Sequence, residues 1–547
     1  MGRRKHLARA RTPTPAPAQE KKVGATITRQ IKNTGYSTGA ASYSKPGLAA
    51  WTPIRSSPQS DIDVNLNTLR ARSADSVMNN PLASSAIGTS RTNVIGAGLR
   101  LSPKPKTGLV GMTAEQAKEW SRKVKTEFEI FASSKFCDIT RKNNLYDLQD
   151  IAYQCYMIDG DSFATFQYRR PMPGMPYSLR LRVIEASRVC NPGVQSLAAT
   201  LNPWMVTVHN PQNGNRIVNG VEIDDDGAVV AYWIASRYPY DPANTQEVPE
   251  WSRVEAFGVK TGAPNILQIS HDTRPEQYRG VPELAPVLEV LKQIGRYTEA
   301  ELTSAIIKSF FSVFIKEQMG ASTNGGFPLP EAYGEDEKVS VDPNSFELGS
   351  GTLNVLPPGY DVTSMDASRT LSTYEPFTKQ LIQQIGAALD IPAEVLTKSF
   401  NSSYSASRAA LLQAWAAFKM RRTWFARDFC QPVYEAWLTE AVAIGRIDAP
   451  GFFTDPLIKA AWCSAEWYGP VMGVLDPVKE VQGSALRVQY GYSTREKETA
   501  ELTGQDWDEN VERSAQELSR MKQLGLPALT ATVNKQEESQ PEGGQPE

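Results

Sequence analysis

RTLSTYEPFTKQLIQQIGAALDI (residues 369–391), PAEVLTKSFNSSY (392–404) and SASRAALLQAWAAFKMRRTWFARDFCQPVYEAWLTEAVAI (405–444) follow one another without a break, and their reading decides the fold. After Leu371, the apolar residues Tyr374, Phe377, Leu381, Ile385 and Leu389 recur in steps of three and four, which places them on one helical face. That face is expected to be buried. Pro392 cannot continue the helix and pushes its predecessor out of the α region, so the helix stops near Asp390 and Ile391. A short polar loop follows with Lys398, Phe400, Asn401 and Tyr404. Ser403 or Ser405 can cap the next helix, because a serine oxygen accepts from the free N–H groups of a first turn. That helix runs to about Val442, roughly 40 residues or about 60 Å at ~1.5 Å per residue. Leu411, Leu412, Trp415, Phe418, Trp424, Phe425, Phe429, Tyr434, Trp437 and Leu438 give it a large apolar surface, and Pro432 predicts a kink within it.

The chain of 547 residues is long enough for three or four domains of about 150 residues each. With 41% hydrophobic and 22% charged residues it can bury a sizeable core. No stretch approaches the ~18 to 20 apolar residues that span a bilayer, and the N-terminus lacks the apolar segment of a signal peptide. A soluble protein that stays where it is made is the expectation. Five widely spaced cysteines without a CxxC pair point to reduced thiols in a cytosolic compartment. The net charge of −2 bears on nucleic acid, since a protein that grips phosphates carries a basic surplus. Any contact with DNA should be loose.

Toward the N-terminus, residues 1–60 open with Arg3, Arg4, Lys5, Arg9 and Arg11 and a Thr-Pro-rich run, and a mobile arm is expected there. Helical patterns follow from Asp61, broken by Asn79-Asn80-Pro81, and from Pro81 to about Ile95, where Gly96 and Gly98 form a stop. Leu99 to Pro103 reads as a strand, Thr113 to Phe131 as an amphipathic helix with Thr113 and Gln116 as a capping box, and Leu145 to Asp159 as another helix. Residues 160–270 alternate apolar and polar positions and predict short strands, with Asp224-Asp225-Asp226-Gly227 as a turn between two of them. A calcium loop is the competing reading of those aspartates. A long helix begins around Glu283 and gives way near Phe310 to a strand-like pattern. The Gly-, Pro- and acid-rich segment from Lys316 to Arg369 then predicts a projecting module rather than a structureless loop. Beyond the 405–444 helix, helices are expected over Asp476 to Gly491 and Glu496 to Met521, the latter broken near Gly504, and disorder from Lys535.

Catalytic motifs are missing. There is no Gly-Lys dipeptide, which excludes a Walker A loop, and His6, His209 and His271 cannot form an HExxH or three-histidine zinc site at helical spacing. Asp159 and Asp161 flank Gly160 and read as a turn ahead of a metal pair. His271, Asp272, Arg274, Glu276, Gln277 and Arg279 read as a hydrogen-bonded junction ahead of an acid–base cluster. Cys137 and Cys155 have no histidine nearby in sequence to activate a thiol.

Several stretches, in this order, resemble the lambda-type family of tailed-phage portal proteins. They are Asn79-Asn80-Pro81-Leu82 with Asn93-Val94-Ile95-Gly96-Ala97-Gly98-Leu99, Asp159-Gly160-Asp161, and Asn219-Gly220-Val221-Glu222 with Asp226-Gly227. Next come His271 with Gln277-Tyr278-Arg279-Gly280-Val281-Pro282, Asp390-Ile391-Pro392 with Tyr404-Ser405-Ala406-Ser407-Arg408, and Asp476-Pro477 with Lys479-Glu480. Their shared order over about residues 60–525 carries the resemblance. It implies an α+β, mainly helical subunit that assembles into a ring, usually a dodecamer, at one capsid vertex. DNA is pumped in through the channel and leaves by it on ejection. By order along the chain the resemblance implies a mobile arm over 1–60, a wing over 61–280, a first stem helix over 281–315 and a clip over 316–368. A second stem helix follows over 369–391, then a channel loop over 392–404, a long wing helix over 405–447, a helical crown over 448–530 and a disordered tail over 531–547. Lys398, Asn401 and Tyr404 would then face the DNA, and no cofactor or metal is implied. The partners implied are further copies of the chain, double-stranded DNA, the large terminase subunit, a head-tail adaptor and the major capsid protein, with no membrane. The location implied is the portal vertex of the virion, after assembly in the host cytoplasm. Two other readings compete: an enzyme, and another virion component such as a minor capsid or baseplate protein.

Overall fold

Asn80 ends one helix and begins the next. It terminates α1 (Leu66–Asn79), and its side-chain oxygen accepts from the amides of Leu82 and Ala83 at the start of α2 (Pro81–Val94). The following proline has no N–H to leave unpaired, so the break costs no hydrogen bond. The computed structural model describes residues 46–193, 207–239, 241, 249–309, 313–317, 360–364, 374–400, 403–473 and 476–526. Two compact units divide the chain, Met1–Ser56 and Ser57–Glu547. Of the first, residues 46–50 form a turn. The expected arm up to residue 45, the tail over 531–547 and the interior of the 316–368 module, residues 318–359, lie outside the described residues.

The second unit is helical with small antiparallel sheets. After β1 (Arg100–Pro103) and α3 (Thr107–Val110), α4 (Ala114–Ala132) starts on the expected capping box: Thr113 Oγ1 accepts from Gln116 N at 3.2 Å, and Thr113 N donates to Gln116 Oε1 at 2.9 Å. Next comes α5 (Leu145–Asp159), which ends at Gly160 with φ +90°. Of the strands β2 (Asp161–Tyr168), β3 (Leu179–Glu185), β4 (Thr207–His209), β5 (Arg216–Val218), β6 (Val221–Ile223), β7 (Val229–Ala235), β8 (Trp251–Glu255) and β9 (Ile266–Ser270), three form a sheet in the order β3-β2-β9. The other five form a meander, β4-β5-β6-β7-β8. The Asp224 turn joins β6 to β7 as expected. Asp224 Oδ1 accepts from the amides of Asp226 and Ala228 within its own loop, and Gly227 takes φ +84°.

A long helix α6 (Leu288–Ser309) leads to β10 (Val313–Glu317), which pairs with β11 (Tyr360–Ser364), so a two-stranded ribbon forms the base of the 316–368 module. Then α7 (Tyr374–Ala388) returns beside α6, with Tyr297 stacked on Tyr374 and edge-on to Phe377. The expected burial of its apolar face holds only at the end nearest the body. Ile385 and Leu389 are buried, while Phe377 is 50% exposed. Among the described residues, α6 lies along the outer part of α7, and the body reaches only the end that carries Leu381, Ile382, Ile385 and Leu389.

The 392–404 segment is not all loop, since Ala393–Thr397 forms a short helix, α8. Ser403 holds the N-cap position of α9 (Tyr404–Phe425), but its side chain makes no capping hydrogen bond. A π-helical turn over Ala426–Cys430 connects α9 to α10 (Gln431–Ala443). The irregularity expected at Pro432 thus falls in the turn before it. Proline cannot donate to the carbonyl four residues back, and a widened turn accommodates that loss.

Around this long helix packs an aromatic core. Trp437 meets Phe128 of α4 at 5.0 Å, Phe425 meets Tyr153 at 5.5 Å and Trp424 meets Tyr156 at 4.7 Å, all near edge-to-face. A smaller core, with Phe163, Val218, Val221 and Tyr232, lies between the two larger sheets. After the long helix, α11 (Pro456–Trp462) precedes β12 (Ala465–Tyr468), which pairs with β1 across the sequence, and α12 (Pro477–Gln489), α13 (Arg495–Thr503) and α14 (Trp507–Gln523) complete the chain's described part.

Candidate functional site

Where α7 ends, a Cβ on Gly386 would lie 2.4 Å from the Ile391 carbonyl oxygen, so glycine is required for the chain to fold back over the helix. Ile391 N closes that turn on Gly386 O at 2.9 Å, and Asp390 takes φ +56°. Leu396 of α8 is buried, its carbonyl accepts from Ser85 Oγ at 2.7 Å, and Glu394 accepts from Ser407 Oγ of α9 at 3.0 Å. The first part of the 392–404 segment is therefore fixed to α2 and α9. Its second part is presented to solvent. Lys398 ends α8 in the left-handed region with φ +56° and an exposed side chain, and Phe400 is 55% exposed. Tyr404 opens α9, and Asn401 lies outside the described residues. Lys398 thus sits at the exposed end of α8, while the placement of Asn401 and of the Tyr404 side chain beside it falls outside the described residues.

Two groups of side chains fix where α6 and α7 leave the body. The first surrounds Asp161, which is fully buried. Arg279 donates Nε to Asp161 Oδ2 at 2.7 Å, Arg70 donates NH2 to Oδ1 at 2.7 Å, and Gly280 N donates to Oδ2 at 3.1 Å. Arg279 also donates to the carbonyl oxygens of Ala186, Val189 and Asn219, which belong to the sheet region. Burial alone would raise the Asp161 pKa, but Arg279 and Arg70 more than offset it and hold the carboxyl below its ordinary value. Its neighbours behave in the opposite way: burial pushes Asp63 up to about 6 and Asp159 up to about 7.

Glycine is needed here for close approach. A Cβ on Gly160 would lie 2.4 Å from the Gly280 carbonyl carbon, and one on Gly280 would lie 1.9 Å from the Gly160 carbonyl oxygen. The Asp159-Gly160-Asp161 and Arg279-Gly280 stretches are thus two halves of one joint. The expected turn and junction are both present: Asp161 is taken up by Arg70 and Arg279, Arg274 pairs with Asp61, and Gln277 accepts from Thr273.

Arg421 makes the second group, and nothing in the sequence pattern singled it out. It is buried on α9, donates to Leu389 O at 3.2 Å, and lies 3.7 Å from Glu283 and 3.6 Å from Asp390. One guanidinium therefore spans the residues just before α6 and just after α7. Tyr156 OH donates to Glu283, and Glu283 N donates to Met157 O at 3.1 Å, which ties the same point to α5.

No group of three or more His, Cys, Asp or Glu among the described residues could hold a metal. Burial pushes the Cys137 and Cys155 thiols up to about 12, which keeps them protonated and poorly nucleophilic.

The sequence model described as "Phage portal protein, lambda family" matches residues 44–422, more than half of the chain. The chain belongs to the lambda family of phage portal proteins. Membership of this family makes it a structural component of a phage virion rather than an enzyme. The chain is 24% identical over 519 residues to portal protein B of Escherichia phage lambda, covering 91% of this chain and 92% of that protein. It is 25% identical over 551 residues to the portal protein of Escherichia phage N15, covering 93% and 96%. Among solved structures it is similar to a chain in the "Virion of native gene transfer agent (GTA) particle", with TM-score 0.40, 12% identity, and coverage of 80% of this chain and 92% of that one. No helix among the described residues is long and apolar enough to cross a membrane.

Proposed function

We propose that copies of this chain close into a ring at one capsid vertex, with α6 and α7 as paired rods along a bore wide enough for duplex DNA. The observation that carries this reading is the state of the paired helices. Their roots are locked into the body by Arg421 and by the Asp161 joint, while Leu302 and Phe377 farther out are 60% and 50% exposed. Apolar side chains that the described residues leave exposed on paired helices are what a neighbouring copy would cover in a closed assembly.

In this reading residues 61–280 form the wing, 316–368 a clip that offers the terminase motor and then the head-tail adaptor a docking surface, and 448–530 a crown. The 392–404 segment faces the bore, where Lys398, Asn401 and Tyr404 touch phosphates without gripping them. The net charge of −2 supports a channel in which DNA slides, since each tight ionic contact would add friction. The ring would form in the host cytoplasm and meet the major capsid protein there. Packaging assays on Lys398→Ala with Tyr404→Ala test the assigned loop. The expected outcome is a loss of packaged or retained full-length DNA with rings still formed, and normal packaging would remove the loop's role.

A further inference from the structure

The last described helix is attached to the body in an unusual way. No residue of α14 is buried, and Val511, Leu518 and Leu524 at or just beyond it are 42%, 52% and 65% exposed. What holds it is charge. Lys118 of α4 lies 2.9 Å from Asp508 and 3.6 Å from Glu512, Arg122 lies 3.7 Å from Glu512, and Lys125 lies 2.5 Å from Glu509 and 3.3 Å from Asp506. Positions 118, 122 and 125 are spaced as one helical stripe, so α4 offers a single line of cations to the acidic face of α14. Just outside the stripe, Lys104 pairs with Glu496 of α13. A cleft of about 260 Å³ remains between the two elements, lined by Lys104, Lys118, Arg122 and Lys125 on one side and by Asp506, Asp508, Glu509 and Glu512 on the other. The hinge is also defined. Gly504, at φ +69°, ends α13 against Gly469 and Val471, and Asp506 then caps α14.

We propose that α14 is an ionic strap: it lies on the cationic stripe of α4 at low ionic strength and swings off about Gly504 when salt screens the ion pairs. Solvent-exposed ion pairs are individually weak and lose most of their strength as the Debye length shrinks from about 10 Å at 0.1 M salt to about 3 Å at 1 M. Apolar burial would resist this, and among the apolar residues of α14 only Trp507 and Met521 are even partly buried. The adjoining α13 is held differently, because Arg487 of α12 forks onto the mostly buried Glu498 at 2.9 and 2.6 Å. The strap therefore moves while α12 and α13 stay.

Hydrogen exchange of the full-length protein at 0.05 and 1 M NaCl tests this, with the amides of 507–523 read against those of α10 in the aromatic core. The expected result is roughly tenfold faster exchange in 507–523 at high salt and no change in α10. Lys118→Glu with Lys125→Glu should show the fast exchange already at low salt. Adding Asp508→Lys with Glu509→Lys should restore protection by exchanging the signs. Salt-independent protection of 507–523 would overturn the proposal, and so would a charge-swapped protein that stays unprotected. A wild-type salt response needs no variant, so the result stands even where a substitution impairs folding.

Discussion

Asp161 is met by two guanidinium groups and an amide from the same chain, whereas Leu302 and Phe377 on the outer half of α6 and α7 are half or more exposed among the described residues. On the proposed reading the joint is finished by one copy of the polypeptide, and the paired rods are not. That difference assigns the two regions different kinds of dependence. Damage to the joint should appear in the stability of the single chain, and damage to the rods should appear only when copies meet.

The largest effect expected is at the joint. Asp161→Ala leaves Arg70 and Arg279 buried without their carboxylate, and removing one member of a buried ion pair costs about 3–5 kcal/mol. Denaturant unfolding of the variant should show this loss, and a cost below about 1 kcal/mol would break the contrast between the two regions.

Next in size is a dependence on pH. Asp159 and Asp63 have folded-state pKa values raised above the ordinary 3.8, to about 7 and about 6, so the folded state binds protons that the unfolded chain has released. Their contribution to stability is complete below the unfolded pKa and is lost as pH rises through about 6 to 7. Stability should therefore fall between pH 5 and 7, by up to roughly 1.4 kcal/mol per pH unit for each proton involved. Asp159→Asn should flatten the slope. Asp161 acts in the opposite sense, since its lowered pKa contributes stability that disappears only under strongly acid conditions.

Smaller still is Arg421→Ala. Its ion pairs are long, at 3.6 and 3.7 Å, so the expected loss is about 1–2 kcal/mol, with faster hydrogen exchange at the root of α6 and the end of α7. Unchanged exchange there would show that the roots are held by packing alone. The smallest effect on the single chain belongs to Phe377→Ser with Leu302→Ser. Both side chains are at least half exposed, so the protomer should change by no more than about 0.5 kcal/mol while sedimentation shows assembly lost.

The sequence made the rods and the long helix legible because helical periodicity and proline punctuation act within a few residues. The Thr113 and Gln116 capping box and the Asp224 turn were legible for the same reason. The joint was only half legible. Asp159-Gly160-Asp161 reads as a turn, but its partners Arg70 and Arg279 lie 91 and 118 positions away from Asp161, and no local pattern pairs them. Arg421 is hidden in the same way, since it looks like one cation of a helix until Glu283 and Asp390 are brought to it. The strand pair β1–β12 joins Arg100 to Tyr468, a pairing that alternation alone cannot reveal. Phe377 shows the converse: the periodic pattern marks it for burial, the described residues leave it 50% exposed, and the proposed ring would supply its cover.

A cryo-electron-microscopy reconstruction of the purified full-length protein under assembly conditions tests that last point most directly. The account predicts a closed ring with a central hole, in which Leu302 and Phe377 are buried against a neighbouring copy. A single compact particle without a hole, or a ring that leaves those two side chains in water, would contradict it.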